Sequence, residues 1–282
     1  MSQPRFFCGL GMPKTGTTWL AEYLRKSPDV FIPRMKELQV FNRLFVPELY
    51  DWMNPYFADT LAKRVWDLSI GSRNYPELIA LMAEVLTIPY LEDMRAKMKA
   101  YRRLFNGRLT GQSVFGEFST TYCLLPENGL KYLKDAFPEP KFVLMIRDPI
   151  NRYWSHLKHE IRQNKDFDPV SFVPKDTPET EFSRMANYAE ILPRIWKMLG
   201  KENVYILFYE SLFVEKNNEP LRGLTNFLGI EFTEPDFEKI VYAGADIELP
   251  TPLVSTLRDR FEPQYRFLQQ EFSNLPKGIR LS

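Results

Sequence analysis
The chain has 282 residues, 44% of them hydrophobic and 26% charged, enough to bury one large core, so a single domain over residues 1–282 is expected. Its 37 basic and 36 acidic residues leave a net charge of +1, which excludes a bulk electrostatic drive toward nucleic acid or an anionic membrane; any anion site must be local. Two cysteines, Cys8 and Cys123, exclude a disulfide framework, and no run of about 18 uncharged apolar residues offers a membrane span or a signal core. A soluble, cytoplasmic protein is the expectation, with a lumenal domain separated from its membrane anchor as the alternative.

Residues 5–9 read as a short apolar strand that breaks into the loop GMPKTG before a helix over residues 17–26. Strand, loop and helix in this order make a phosphate cradle, because the first N–H groups of a helix lack internal partners and carry partial positive charge. Gly16 lets the backbone close on an anion, Lys14 supplies a point charge, and Thr15, Thr17 and Thr18 supply hydroxyl donors. The stretch from Gly11 to Thr18 nearly satisfies the triphosphate pattern G-x-x-x-x-G-K-[ST]. However, Thr17 stands where the lysine belongs, and Lys14 lies two residues before the second glycine. A charge moved from the helix start to the loop tip addresses a different phosphate oxygen.

Ser27-Pro28 stops the helix, and a short buried strand over residues 29–32 leads to Lys36-Glu37-Leu38-Gln39-Val40-Phe41. By residue type alone, Lys36-Glu37 is a solvated pair opening a helix. A helical insert over about residues 44–113 follows, rich in aromatics (Trp52, Tyr56, Phe57, Trp66, Tyr75, Tyr90, Tyr101) and in basic residues (Arg95, Lys97, Lys99, Arg102, Arg103). These read either as core packing with a solvated face or as the wall of an acceptor cleft. Residues 114–122 read as a strand followed by a hydroxyl-rich turn, and Glu117 either orients Lys14 or caps a neighbouring turn, the structural role being preferred.

A helix over residues 128–137 precedes KFVLMI, residues 141–146, a continuous apolar run suited to a strand buried on both faces of a parallel sheet. It empties into Arg147-Asp148-Pro149 and a helix carrying Ser155, His156 and His159. An arginine at a strand's carboxyl end and a hydroxyl two turns into the next helix can converge on one phosphate. A helix over residues 188–199, a strand over residues 203–208 ending in Tyr209-Glu210, a helix ending at Leu228 and a last helix over residues 253–272 complete the chain. The expected fold is therefore α/β, a three-layer P-loop-like architecture whose mostly parallel central sheet is flanked by helices. Its strands lie near Phe6, Val30, Phe115, Phe142 and Tyr205, which places Lys14, Glu117, Arg147 and Tyr209 at carboxyl ends, where such folds bind ligands. No Cys/His cluster or carboxylate set has metal-ligand spacing, so no metal is expected.

PKTGTTW resembles the 5′-phosphosulfate loop of sulfotransferases, which use 3′-phosphoadenosine 5′-phosphosulfate (PAPS) as sulfuryl donor. Arg147-Asp148-Pro149, with Ser155 eight residues after the arginine, resembles that family's 3′-phosphate signature. The resemblance covers residues 5–41 and 116 to about 272, and it implies a domain binding PAPS, with the bisphosphate PAP as product. It implies donor contacts from Lys14, Thr15, Gly16, Thr17, Thr18, Trp19, Arg147, Ser155 and Tyr209, with Lys14 also catalytic and with Trp19 and Tyr209 near the adenine. A buried aromatic needs no ligand, so packing remains the other reading of Trp19 and Tyr209.

Residues 36–41 resemble K-E-[LI]-x-x-F of the carbohydrate-type members, which makes Glu37 the candidate base for the acceptor proton. No histidine precedes R-D-P, where phenol-type cytosolic members carry theirs, so carbohydrate or Golgi-type and bacterial members are the nearer comparison. His156 and His159 then read as packed or solvated. Phe118 stands where G-E-K-[ST]-P-x-Y has lysine, which leaves Lys14 alone with the sulfuryl charge. The loop at residues 243–252 lacks the basic lid of many relatives, leaving the 3′-phosphate to Arg147 and Ser155, or to Lys277 and Arg280 folding back. The implied reaction is sulfuryl transfer to a hydroxyl of a carbohydrate or other small-molecule acceptor, with no nucleic-acid or membrane partner. A P-loop nucleotide kinase, which the displaced lysine disfavours, and a catalytically degenerate nucleotide-binding protein are the alternatives.

Overall fold
The computed structural model describes residues 3–50, 53–69, 76–237 and 247–279; Trp52, Tyr75, residues 243–246 and Arg280 lie outside them, as do the side chains of Phe57 and Trp66. Five strands, β1 (Arg5–Gly11), β2 (Val30–Phe31), β3 (Val114–Phe118), β4 (Lys141–Ile146) and β5 (Val204–Phe208), form one sheet in the order β2-β3-β1-β4-β5. Every pairing is parallel, as continuous apolar runs demand. All the expected strands are present, and β1 runs two residues beyond its expected end, to Gly11.

Alternation along the strands divides the core into two layers. Phe6, Cys8, Leu10, Phe115, Phe142, Leu144 and Ile146 face one side, while Phe7, Val114, Phe118, Val143, Met145 and Leu207 face the other. The second face is covered by α1 (Thr17–Arg25), through Leu20 and Leu24. Between β2 and β3 come α2 (Val40–Phe45), α3 (Pro47–Tyr50), α4 (Met53–Ser69), α5 (Pro76–Thr87) and α6 (Met94–Asn106), and the last of these packs Tyr101, Leu104 and Phe105 against the first face. That face also takes α7 (Glu127–Lys134) and α8 (Pro149–Gln163), the latter opened by proline as expected.

After the short α9 (Pro169–Phe172) and α10 (Glu181–Arg184), α11 (Tyr188–Leu199) joins the first face. The α12 (Tyr209–Phe213) and α13 (Glu219–Leu228) helices return to the second, and α14 (Thr251–Glu271) closes the first. Among the described residues, no helix is long and apolar enough to cross a membrane.

The carboxyl ends of β1, β3, β4 and β5 open on one edge, with β1 central, where the chain's direction of winding reverses. One close approach fixes that edge: a Cβ at Gly9 would stand 2.0 Å from Cδ1 of Phe118, whose ring packs edge-on against Phe7. Gly9→Ala should therefore lower stability by about 1–3 kcal/mol through overpacking. Gly107→Ala, whose Cβ would meet nothing within 4 Å, should stay near wild type in the same urea titrations.

Candidate active site
Beyond β1 the chain turns sharply into α1. Lys14 takes φ 69° and Gly16 φ 90°, both left-handed, and the Thr15 hydroxyl, fully buried, donates to the Met12 carbonyl at 2.7 Å. Thr15 thus holds the loop together from inside. No side chain caps α1, so its first N–H groups face the space in front of Thr17 and Thr18. Among the described residues the Lys14 ammonium has no hydrogen-bond or ion-pair partner. Burial pushes its pKa down to about 8, with Arg162 and Arg152 adding to the shift and Glu160 opposing it.

Glu37 follows β2 in a left-handed conformation, φ 62°, with its N–H bonded to the Phe118 carbonyl at 2.9 Å. Its carboxylate is held from β3's end. Thr120 N–H donates to Oε2 at 2.8 Å, the Thr120 hydroxyl to Oε1 at 3.0 Å, and the Gln39 amide to Oε2 at 2.7 Å. Lys36 lies beside it, with Nζ 3.5 Å from Glu37 Oε1, 3.1 Å from Thr17 Oγ1 and 2.8 Å from Thr18 Oγ1. By residue type alone the pair reads as a solvated surface feature; here Lys36 joins the candidate base to the start of α1. Burial lowers the Lys36 pKa, and the neighbouring Glu37 opposes the shift.

Glu117 takes the structural role preferred for it. It is 1% exposed and accepts from Tyr101 at 2.6 Å, Ser119 at 2.7 Å and Tyr122 at 3.3 Å. Ser119 Oγ in turn receives the Gln39 N–H at 3.0 Å, so a chain of hydrogen bonds runs from Glu117 beneath the loop bearing Glu37. Phe118, 1% exposed, is core. Tyr101 belongs to this buried bed, whereas Tyr56 and Tyr90 of the insert are exposed.

Beyond β4, Arg147 crosses to the first loop. Its Nη1 donates to the Lys14 carbonyl at 3.2 Å, and its guanidinium lies 4.0 Å from the centre of the Tyr209 ring. The Tyr188 hydroxyl donates to the Arg147 carbonyl at 2.7 Å, Asp148 N–H donates to Glu210 at 2.9 Å, and Tyr265 donates to Asp148 at 2.5 Å. Ser155 is half-buried on α8. His156 is buried 4.5 Å from the Phe182 ring, its pKa driven well below the usual range by burial, with Arg152 and Lys14 adding to the shift, while His159 lies near Arg162.

Trp19 is 7% exposed, donates to the Asp236 carbonyl and already stacks with Tyr23 and Phe237 at 5.5 and 5.4 Å. Its indole is therefore packed, and Phe237 occupies one stacking place on it. The chain end folds back, Lys277 N–H donating to Glu215 at 2.7 Å beyond α12. Among the described residues, no group of three or more His, Cys, Asp or Glu is placed to hold a metal ion.

The model of the Sulfotransferase family matches residues 7–234, which spans the loop, the candidate base and the R-D-P segment together. The chain belongs to this family. The crystal structure of a sulfotransferase from Alicyclobacillus acidocaldarius shares its fold, with a TM-score of 0.68 at 22% identity over 99% of this chain and 100% of that one. The sulfotransferase domain of the Synechococcus PCC 7002 olefin synthase superposes with a TM-score of 0.50 at 15% identity, covering 94% of this chain and 96% of that one. No curated protein matches the sequence.

Lys36, Thr120 and Gln39 touch the candidate residues of this sulfotransferase without having been singled out in the sequence. β2 and β3 are neighbours, Phe31 opposite Phe115, so Lys36 follows the strand beside the one that ends at Phe118.

Burial raises the Glu117 pKa to about 7 from the ordinary 4.5, while its three hydrogen bonds lower it in part. The unfolded chain therefore ionises first. The stability contributed by the neutral acid is full below about pH 4.5, declines as pH rises and is lost above about 7. Thermal unfolding of Glu117→Gln should show a shallower decline between pH 5 and 8 than wild type, a difference on the order of 2–3 kcal/mol.

Proposed function
We propose that this sulfotransferase moves a sulfuryl group from PAPS to a hydroxyl of a carbohydrate or other small-molecule alcohol, and that residues 1–282 act as one sulfotransferase domain. The observation that supports the reading is the 3.2 Å bond from Arg147 to the Lys14 carbonyl, which sets the residues proposed for the two phosphates side by side. On this reading Arg147 and Ser155 receive the 3′-phosphate, and Lys14, Thr15, Gly16, Thr17 and Thr18 form the socket for the 5′ end. Tyr209 and Trp19 border the base. The acceptor oxygen forms a bond to sulfur as the bond from sulfur to the bridging oxygen breaks. Glu37 takes the acceptor proton, while Lys14 and the uncapped start of α1 stabilise the charge left on the bridging oxygen. The helices between β2 and β3 wall the acceptor, linked to Glu37 from Tyr101 through Glu117, Ser119 and Gln39.

Calorimetric titration should show PAP binding without metal and more tightly than ATP with magnesium, with Arg147→Ala weakening PAP by about 10-fold or more. Equal preference for magnesium-ATP, or unchanged PAP affinity in Arg147→Ala, overturns the assignment. Because the free Lys14 loses its proton near pH 8, PAP affinity should fall as pH rises through that value, and Lys14→Arg should move the fall upward. Glu37→Gln should retain PAP affinity while transfer to a hydroxyl acceptor found by screening drops about 10²-fold or more.

A further inference from the structure
With Phe118 buried in the core, β3 contributes no cation to the transferring group. We propose that Lys36 is the second catalytic cation of this sulfotransferase, placed beside the sulfuryl group between its two ends of attachment. This rests on the sulfuryl-transfer reading above and adds a residue to it.

The position follows from three contacts of one ammonium. Nζ is 3.1 and 2.8 Å from the hydroxyls of Thr17 and Thr18, which mark the socket for the 5′-phosphate, and 3.5 Å from Oε1 of Glu37, which marks the acceptor proton. In-line transfer sets phosphate oxygen, sulfur and acceptor oxygen in one row. A cation that reaches both ends of that row lies alongside its middle, where the sulfuryl oxygens carry the developing charge.

The present partners of Lys36 are those of a group waiting for an anion. An ammonium has three donors; two are spent on neutral hydroxyls, and among the described residues the only carboxylate within ion-pair range is a long contact whose oxygens already accept from Thr120 and Gln39. Holding a largely desolvated ammonium on such partners is costly unless a ligand supplies charge. The Thr17 and Thr18 hydroxyls, acceptors toward Lys36, can turn to donate to an incoming anion, and Lys36 then meets that anion directly. Ligand access separates Lys36 from Arg152, a cation buried with unpartnered donors. The Lys36 side chain is 18% exposed, whereas Arg152, with Nε and Nη1 unpartnered, is 0% exposed and sealed in the protein.

The test compares Lys36→Met, which keeps length and removes charge, with Lys36→Arg, which keeps charge. PAP affinity is read by calorimetry, and turnover by release of label from ³⁵S-PAPS to water or to a screened alcohol. Lys36→Met should lose about 10²-fold in turnover while binding PAP within about threefold of wild type, and Lys36→Arg should recover at least about tenfold of that loss. The melting temperature of Lys36→Met should equal or exceed that of wild type, since a desolvated charge has been removed. Turnover within threefold of wild type in Lys36→Met, or PAP affinity lost in step with turnover, overturns the role of Lys36 and leaves the donor site standing. Wild-type protein that binds no PAP overturns the function itself.

Discussion

The hydrogen bond from Arg147 to the Lys14 carbonyl ties together two loops that the sheet alone would only place side by side. β1 and β4 are adjacent and parallel, with Gly11 opposite Leu144, so both chains leave the sheet at the same edge. The guanidinium spans the gap, stacked 4.0 Å over Tyr209 from β5, and its backbone is clamped by Tyr188. Three strand ends are thereby fixed relative to one another before any ligand arrives. Preorganisation of this kind matters for an anion site, because donors already in place need no reorganisation when charge develops.

Beneath the candidate base the core is polar where a core is usually apolar. Glu117 sits fully buried with three hydroxyl donors, and Ser119, Thr121, Gln39 and Asn42 continue the network upward. Its burial penalty shows in a carboxyl that ionises only near pH 7. What that penalty secures is orientation: both Glu37 and Gln39 adopt left-handed backbone, which side-chain-bearing residues rarely do, and the network holds them there. The resulting carboxylate is gripped on both oxygens by β3's turn, so its direction is set by the scaffold and not by solvent.

The sheet was legible because buried parallel strands announce themselves as short apolar runs, and KFVLMI and VYILF could be little else. Pro149 marked the start of α8 and Gly229 the end of α13 by local chemistry alone. The site was legible only where its residues form a contiguous pattern, as in PKTGTTW. Lys36 was not, since its partners Thr17 and Thr18 lie on another element, and a Lys-Glu pair looks the same in solvent as beside a helix start. The packing of Phe237 on Trp19 was equally hidden, being set by a return of the chain more than two hundred residues later. Periodicity reports which face is buried; it does not report what lies across it.

A chain of net charge +1 can present a strongly electropositive cleft because charge is a local matter once water is excluded. Lys14 and Lys36 both have lowered pKa values, chiefly from burial, so each is partly stripped of water. Such ammonium groups are poorly solvated in the empty protein and are relieved by an anion that returns the lost interactions. The same stripping makes them more effective once charge shifts onto the leaving oxygen, since the field between them is weakly screened. Placing two desolvated lysines on separate loops, one after β1 and one after β2, divides the cost of burial between two strand ends. A single lysine at the start of α1, as in the triphosphate pattern, would concentrate charge on the helix axis. Here the charge is split between two loops, with Lys36 set on the hydroxyls of Thr17 and Thr18 at the start of α1.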